Sequence, residues 1–130
     1  YGILIGRMCA AGLVFAAWAA EAQLLTPVQT LFDGVGNSGD LRRPSSVALS
    51  PDGAHAYVSA IGGNAVSVYA RNFTTGALTF VETHRDGENG VDGLAAARAA
   101  AVSPEGAQIY VASYLDGAVA IFGRNGSTGR

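Results

Sequence analysis

From Ser46 onward, short apolar runs alternate with clusters of Gly, Pro, Asp and Asn, a spacing that suits short strands and is too tight for helices. Ser46–Ser50 reads as a β-prone run closed by Pro51-Asp52-Gly53. In such a turn Pro presets φ, Asp tolerates the bridge region and Gly accepts positive φ. His55–Ala60 follows, so the two runs predict a hairpin. Ile61-Gly62-Gly63-Asn64 is a second turn, and Ala65–Arg71 a third run. Its alternation puts Val66, Val68 and Ala70 on one face and Ala65, Ser67 and Tyr69 on the other. Phe73-Thr74-Thr75-Gly76 turns the chain into a fourth run, Leu78–Thr83. A longer Gly- and Asp-rich connection, Arg85–Arg98, precedes a restart at Ala99. Within it Leu94–Ala101 has helix propensity, but the matching upstream stretch holds Arg42-Arg43-Pro44, which favours a loop in both places.

The restart is an internal repeat. A slide of 53 residues lays Leu25–Ala77 on Leu78–Arg130 without a gap, and 20 of the 53 positions are identical. Four short strands per period of this length is the pattern of a β-propeller blade. Facing chemistry agrees, because blades stack on both faces whereas a sandwich exposes one face of each sheet. Ile109–Ala112 and Ala118–Phe122 are continuously apolar, and the many Ala residues let sheets approach closely. A two-repeat solenoid is the competing architecture; the hairpins and the long connection favour radial blades. The expected fold is therefore all-β: propeller blades of four antiparallel strands, in repeats of about 25–77 and 78–130, preceded by an N-terminal apolar helix or signal segment. A ring takes at least ~4 blades. Two repeats imply further blades, and alone they would expose edges that associate.

The repeated pattern is Ser-Pro-Asp/Glu-Gly-Ala-x-x-Tyr-Val, then Ala-Val-x-Val/Ile-Tyr/Phe-x-Arg-Asn, then Thr-Gly and Leu-Thr-Phe-Val-Glu. It resembles the repeats of lactonase-type seven-bladed propellers and is similar to bacterial YVTN-type surface propellers. The chain keeps Tyr-Val at Tyr57-Val58 and Tyr110-Val111, followed by Ser59-Ala60 and Ala112-Ser113. The resemblance spans residues 25–130 and implies about seven blades, with side chains from several of them converging on a central channel. These motifs build turns and strands, so they specify architecture more than activity.

Ahead of the repeats, Arg7 precedes an apolar run, Met8–Ala20, which ends in the small-residue site Ala20-Glu21-Ala22. Those are the parts of a secretory signal, and cleavage would leave Gln23 first. An uncleaved anchor or a core helix is the alternative. Arg7 leaves the run short of the ~20 apolar residues that a membrane span needs. The expectation for residues 1–22 is export to an extracytoplasmic location, with no membrane span in the mature chain. Cys9, the single cysteine, falls inside that segment.

Composition narrows the chemistry. The 130 residues hold eight basic groups, all Arg, ten acids and a formal charge of −2, with a pI near 5.5. That balance argues against nucleic acid as a partner. One Cys and two His, His55 and His84, cannot build a thiolate cage or a multi-histidine zinc site. Neither a metal nor a cofactor is expected.

A residue present in both copies is expected to serve the architecture. Arg71 and Arg124 are of this kind, each a guanidinium placed to bridge turn carbonyls or a neighbouring acid. Residues that break the repeat are the functional candidates: Arg42, Arg43, His84, Arg85 and Arg98, assigned to ligand binding. Arg42-Arg43 has the chemistry to clamp a carboxylate or phosphate, and a His titrating near ~6.5 suits a general base. The loops Asp33–Asp40 and Asp86–Gly93 offer hard oxygens among glycines but lack the calcium-loop spacing, and tight turns account for them. No Ser-His-Asp, phosphate-loop or paired-carboxylate pattern appears, so catalytic residues stay unassigned. The leading expectation is a binding or scaffold module of an exported propeller, for a protein or small-molecule ligand. The alternative, implied by the resemblance, is a lactonase-like enzyme that opens or forms a lactone ring; a calcium-dependent surface propeller is a third reading.

Overall fold

The computed structural model describes residues 25–130; the signal-like segment 1–22 lies outside the described residues. Seven strands follow in order: β1 Pro44–Leu49, β2 His55–Ala60, β3 Ala65–Arg71, β4 Leu78–Arg85, β5 Ala97–Val102, β6 Gln108–Ser113 and β7 Ala118–Gly123. They form two antiparallel sheets, one ordered β1-β2-β3-β4 and the other β5-β6-β7. Among the described residues no helix is long and apolar enough to cross a membrane. The structural units straddle the repeat frame, since Leu78–Arg85 opens the second copy yet forms the outer strand of the first sheet.

The loop expected over Arg42–Pro44 and Leu94–Ala101 is corrected in part. Strands already begin at Pro44 and Ala97, where ladder pairs Pro44↔Ala60 and Ala97↔Ser113 form ahead of a bulge. A first strand position tolerates Pro because no ladder N–H is required of it, and the bulge absorbs the odd residue.

Blade packing follows from the alternation within each strand. Tyr57, Val66 and Val68 point from the first sheet onto Leu94, Ala97, Ile109 and Val111 of the second unit, and all seven are buried. The opposite face of β2 and β3 buries Ala56, Val58 and Tyr69 under Leu31, Leu41, Leu78 and Phe80. Strand β2 is thus buried on both faces, as an inner blade strand should be. Strands β6 and β7 are covered on one face only, and Val119 and Ile121 stand exposed. The two sheets come closest at their first strands, β1 and β5. There the Ser45 hydroxyl donates to Ala97 O (3.0 Å), and Ala100 N donates to Ser46 Oγ (3.3 Å). Sheets that converge on their first strands and fan apart beyond them have the radial arrangement of propeller blades.

Arg124 joins the two units. It extends from just beyond β7, and its side chain is 4% exposed. Its Nη1 donates to Gly106 O (2.9 Å), Nε to the Tyr57 hydroxyl (2.7 Å) and Nη2 to Asp52 Oδ2 (2.9 Å) and His55 Nδ1 (3.0 Å). The expected architectural role of this repeated arginine is therefore filled by one turn carbonyl of its own blade and three groups of the neighbour. Gly129 lies against the same place: a Cβ there would strike the His55 ring.

A second pairing shows how the two copies diverged together. In the first unit Asp40 caps Arg42 N (3.2 Å) and lies so close to Gly63 that a Cβ at position 63 would collide with its carboxylate. In the second unit the matching positions are Gly93 and Asp116, and Asp116 reaches back to cap Ala95 N (2.8 Å). The acid has changed sides of the loop while its hydrogen bond is kept. Gly63→Ala should cost about 2 kcal/mol in urea unfolding, the usual scale of overpacking. Asp40→Gly combined with Gly63→Asp should fold more stably than Gly63→Asp alone; an equal or greater loss in the double variant would refute the exchange.

Candidate functional site

Arg42, Arg43, Arg85 and Arg98 all lie at one end of the blades. This end carries the β2–β3 and β6–β7 turns and the connections that lead into β1 and β5. Two of the four converge on one acid. The Asp40 side chain is 3% exposed, and its Oδ2 accepts Arg42 Nη2 (2.7 Å) and Arg85 Nε (3.0 Å). Its Oδ1 accepts Arg42 Nε (3.1 Å). Behind it, Asp40 N donates to Ser67 Oγ (3.1 Å), which also lies 2.8 Å from Thr83 Oγ1. The Arg42 contacts, with help from Arg85 and against the pull of burial, hold the Asp40 carboxyl down at about 2. At neutral pH the cluster is one fixed carboxylate between two cations, with the exposed Glu88 Oε2 3.7 Å from Arg85 Nη1, and both guanidinium heads remain partly exposed to water. A buried acid that pairs with two partly exposed arginines fixes the direction of their guanidinium forks.

Arg43 and Arg98 sit at the two innermost strands, one just before β1 and the other second in β5. Neither makes an ion pair among the described residues. Arg43 holds a positive φ of 54°, an uncommon conformation for a side-chain-bearing residue, and is pinned by Ile61 N donating to its carbonyl (3.0 Å). Arg98 rests over the Tyr114 ring, 5.9 Å from its centroid.

His84 is separated from this group, since it faces the space between the sheets. A cavity of about 330 Å³ there is lined by Tyr57, Val66, Val68, Glu82, His84 and Phe122, among others. His84 Nε2 lies 3.1 Å from Glu82 Oε1, its ring packs on Phe122, and Arg130 Nε is 3.4 Å from Glu82 Oε2. An imidazole beside a carboxylate is the pairing of a general base with the group that orients it.

The acidic loop also has a local explanation. Asp86, Asp92 and Asp116 bring oxygens within 4.8 Å of one another. Each accepts from one of three successive amides: Asp92 from Gly93 N (3.0 Å), Asp86 from Leu94 N (2.9 Å) and Asp116 from Ala95 N (2.8 Å). Backbone N–H dipoles account for the gathering of these acids.

Against known proteins, residues 13–130 match the family model described as lactonase, 7-bladed β-propeller. The chain belongs to the seven-bladed β-propeller lactonase family. A candidate 6-phosphogluconolactonase from Bacteroides fragilis is similar over 75% of this chain and 25% of its own, at 27% identity and a TM-score of 0.57. A candidate 6-phosphogluconolactonase from Bacteroides uniformis has 24% identity over 75% of this chain and 26% of its own, with a TM-score of 0.57. A protein of unknown function from Desulfotomaculum acetoxidans shares the fold, at 21% identity and a TM-score of 0.55 over 76% of this chain and 28% of its own. No curated relative matches in sequence. The chain spans about a quarter of the length of the solved structures it resembles.

Membership of the lactonase family moves weight from the expected binding or scaffold module to the enzymatic alternative. Among the five arginine and histidine candidates, only Arg42 and Arg85 are brought together, through the Asp40 carboxylate they share. Sequence reasoning missed the acid that joins them, although its own criterion could have found it: Asp40 breaks the repeat, with Gly93 opposite. Glu82 was missed because Gln29 stands opposite it in the other copy, a polar-for-polar exchange that looks like ordinary surface drift.

Proposed function

We propose that the whole protein opens a lactone ring by hydrolysis, and that the blades described here contribute arginines to an anionic substrate at the arginine-bearing end. Family membership carries this reading, and the likeness to a candidate 6-phosphogluconolactonase suggests a sugar-acid lactone as substrate. Water adds to the ring carbonyl, negative charge gathers on its oxygen, and the ring oxygen departs as a hydroxyl after taking up a proton. Arg42 and Arg85, oriented by Asp40, have the charge and rigidity to hold an acidic substituent or the developing oxyanion. Arg43, just before β1, and Arg98, in β5, extend the same positive surface.

The test is ring opening of gluconolactone and its 6-phosphate by the whole protein, followed in a pH-stat. Turnover well above the spontaneous rate is expected. Arg85→Gln should lower kcat/KM by about 100-fold, the scale of one lost charge-stabilising donor. Spontaneous-rate opening of both lactones would end the hydrolase reading.

A further inference from the structure

We propose that Asn89 is a site of self-modification: its side-chain amide is lost to water without an enzyme, which leaves an aspartyl or isoaspartyl residue in the connection between β4 and β5. The inference is independent of the lactone reading.

The chemistry is that of an Asn followed by Gly. The Gly90 backbone nitrogen gives up its proton and adds to Asn89 Cγ. The Cγ–Nδ2 bond breaks, ammonia departs with that proton, and a succinimide ring remains. Water then opens the ring at either carbonyl, so the main chain returns as aspartate or is rerouted through Cγ as isoaspartate. Gly favours closure because no Cβ crowds the attacking nitrogen.

Two Asn-Gly pairs occur, Asn89-Gly90 and Asn125-Gly126, and the structure separates them. Asn125 Oδ1 accepts Ser127 N (2.9 Å) and Thr128 N (3.3 Å), an Asx turn that holds its amide in place. Asn89 and Gly90, at φ 53° and 77°, are the central residues of a type I′ turn closed by Val91 N donating to Glu88 O (2.9 Å). That geometry explains why Asn-Gly stands here, and it leaves Gly90 N outside the closing bond. Among the described residues neither Gly90 N nor the Asn89 side chain makes a hydrogen bond. Both residues are exposed, and a Cβ at Gly87 or Gly90 would meet open space. The turn can therefore open, and bring Gly90 N onto Cγ, at the loss of few contacts. Asn64 and Asn72 each cap backbone amides and precede Ala and Phe, while Asn37 precedes the buried Ser38.

This exposure belongs to the loop itself. The repeat partners of Asn89 and Gly90 are Gly36 and Asn37, which stay exposed with the outer strand β4 in place against their loop. The product sets a new carboxylate next to Glu88, whose Oε2 lies 3.7 Å from Arg85 Nη1. The modification thus falls in the loop that carries an arginine of the candidate site.

The test is to incubate the whole protein in mildly alkaline buffer, digest it, and map it by mass spectrometry with fragmentation that separates aspartate from isoaspartate. Conversion at Asn89 should exceed that at Asn125 by about tenfold, the factor given by about 1.4 kcal/mol of extra local opening at the Asx turn. In concentrated urea the two should convert at similar rates, because only folding distinguishes them. Asn89→Gln, which cannot close the same ring, should remove most of the ammonia released by the folded protein and leave the circular dichroism spectrum unchanged. Equal conversion at Asn89 and Asn125 in the folded protein would overturn the inference. So would conversion at Asn89 no greater than at Asn64 and Asn72, or ammonia release indifferent to Asn89→Gln.

Discussion

Replacing Arg124 by Ala should destabilise the protein by about 3 kcal/mol in urea unfolding, the scale for removing one partner from a buried charge network. The guanidinium is nearly enclosed, and its loss strands the Gly106 carbonyl and His55 Nδ1 and leaves the Tyr57 hydroxyl only its bond to Gly129 O. Arg124→Lys should recover only part of this, since an ammonium cannot fork between three directions. Arg71→Ala provides the internal control. It occupies the same repeat position but makes one 3.3 Å bond to a turn carbonyl, so its cost should stay under about 1 kcal/mol. Equal losses at the two sites would show that the arginine acts within its own blade and does not join blades.

The same cluster gives stability a pH dependence. Because Arg124 can only donate, His55 Nδ1 must accept, which requires the neutral ring with its proton on Nε2. Burial and then the Arg124 charge push the His55 pKa down. Below about 6.5 the unfolded chain therefore binds a proton that the folded chain refuses, and stability should fall as pH drops through that range. His55→Gln should flatten this slope.

Asp40→Asn is expected to lower stability by about 2 kcal/mol and to abolish the pairing of Arg42 with Arg85. The carboxylate serves both guanidinium groups and Arg42 N from a position closed to water, and an amide cannot supply the charge. The sign with pH follows from its depressed pKa, about 2 against an ordinary 3.8. Its contribution is complete above about pH 4 and disappears as pH falls toward 2, where the folded carboxylate takes its proton. Thermal melts of Asp40→Asn and the parent should therefore converge across that interval. A parallel offset down to pH 2 would show that Asp40 acts through packing and not through charge.

Much of the fold was legible because blade-forming information is local and repeated. Pro51-Asp52-Gly53 and Ser103-Pro104-Glu105-Gly106 announce their turns wherever they stand. The alternation in Ala65–Arg71 separates the face that meets the next blade from the face that meets Leu31 and Leu41. The early start of β1 and β5 was hidden, since Pro44 and the Ala97–Ala101 run carry no strand preference of their own and become strands only by pairing with β2 and β6. At the candidate site, the break in repeat symmetry marked Arg42 and Arg85 but said nothing about what held them.

Periodicity, turn chemistry and a 53-residue self-match thus determine a chain of blades whatever surrounds it, since those signals act between residues close in sequence. Which polar groups meet is another matter. Asp40 with Arg85, and Arg124 with Tyr57, are joined across 45 and 67 residues. Only the stacking of one sheet on another, and the closing of β4 against β3, brings them within hydrogen-bond reach. Charge and hydrogen bonding weaken steeply with distance and angle, so their partners are chosen by tertiary packing and not by pattern.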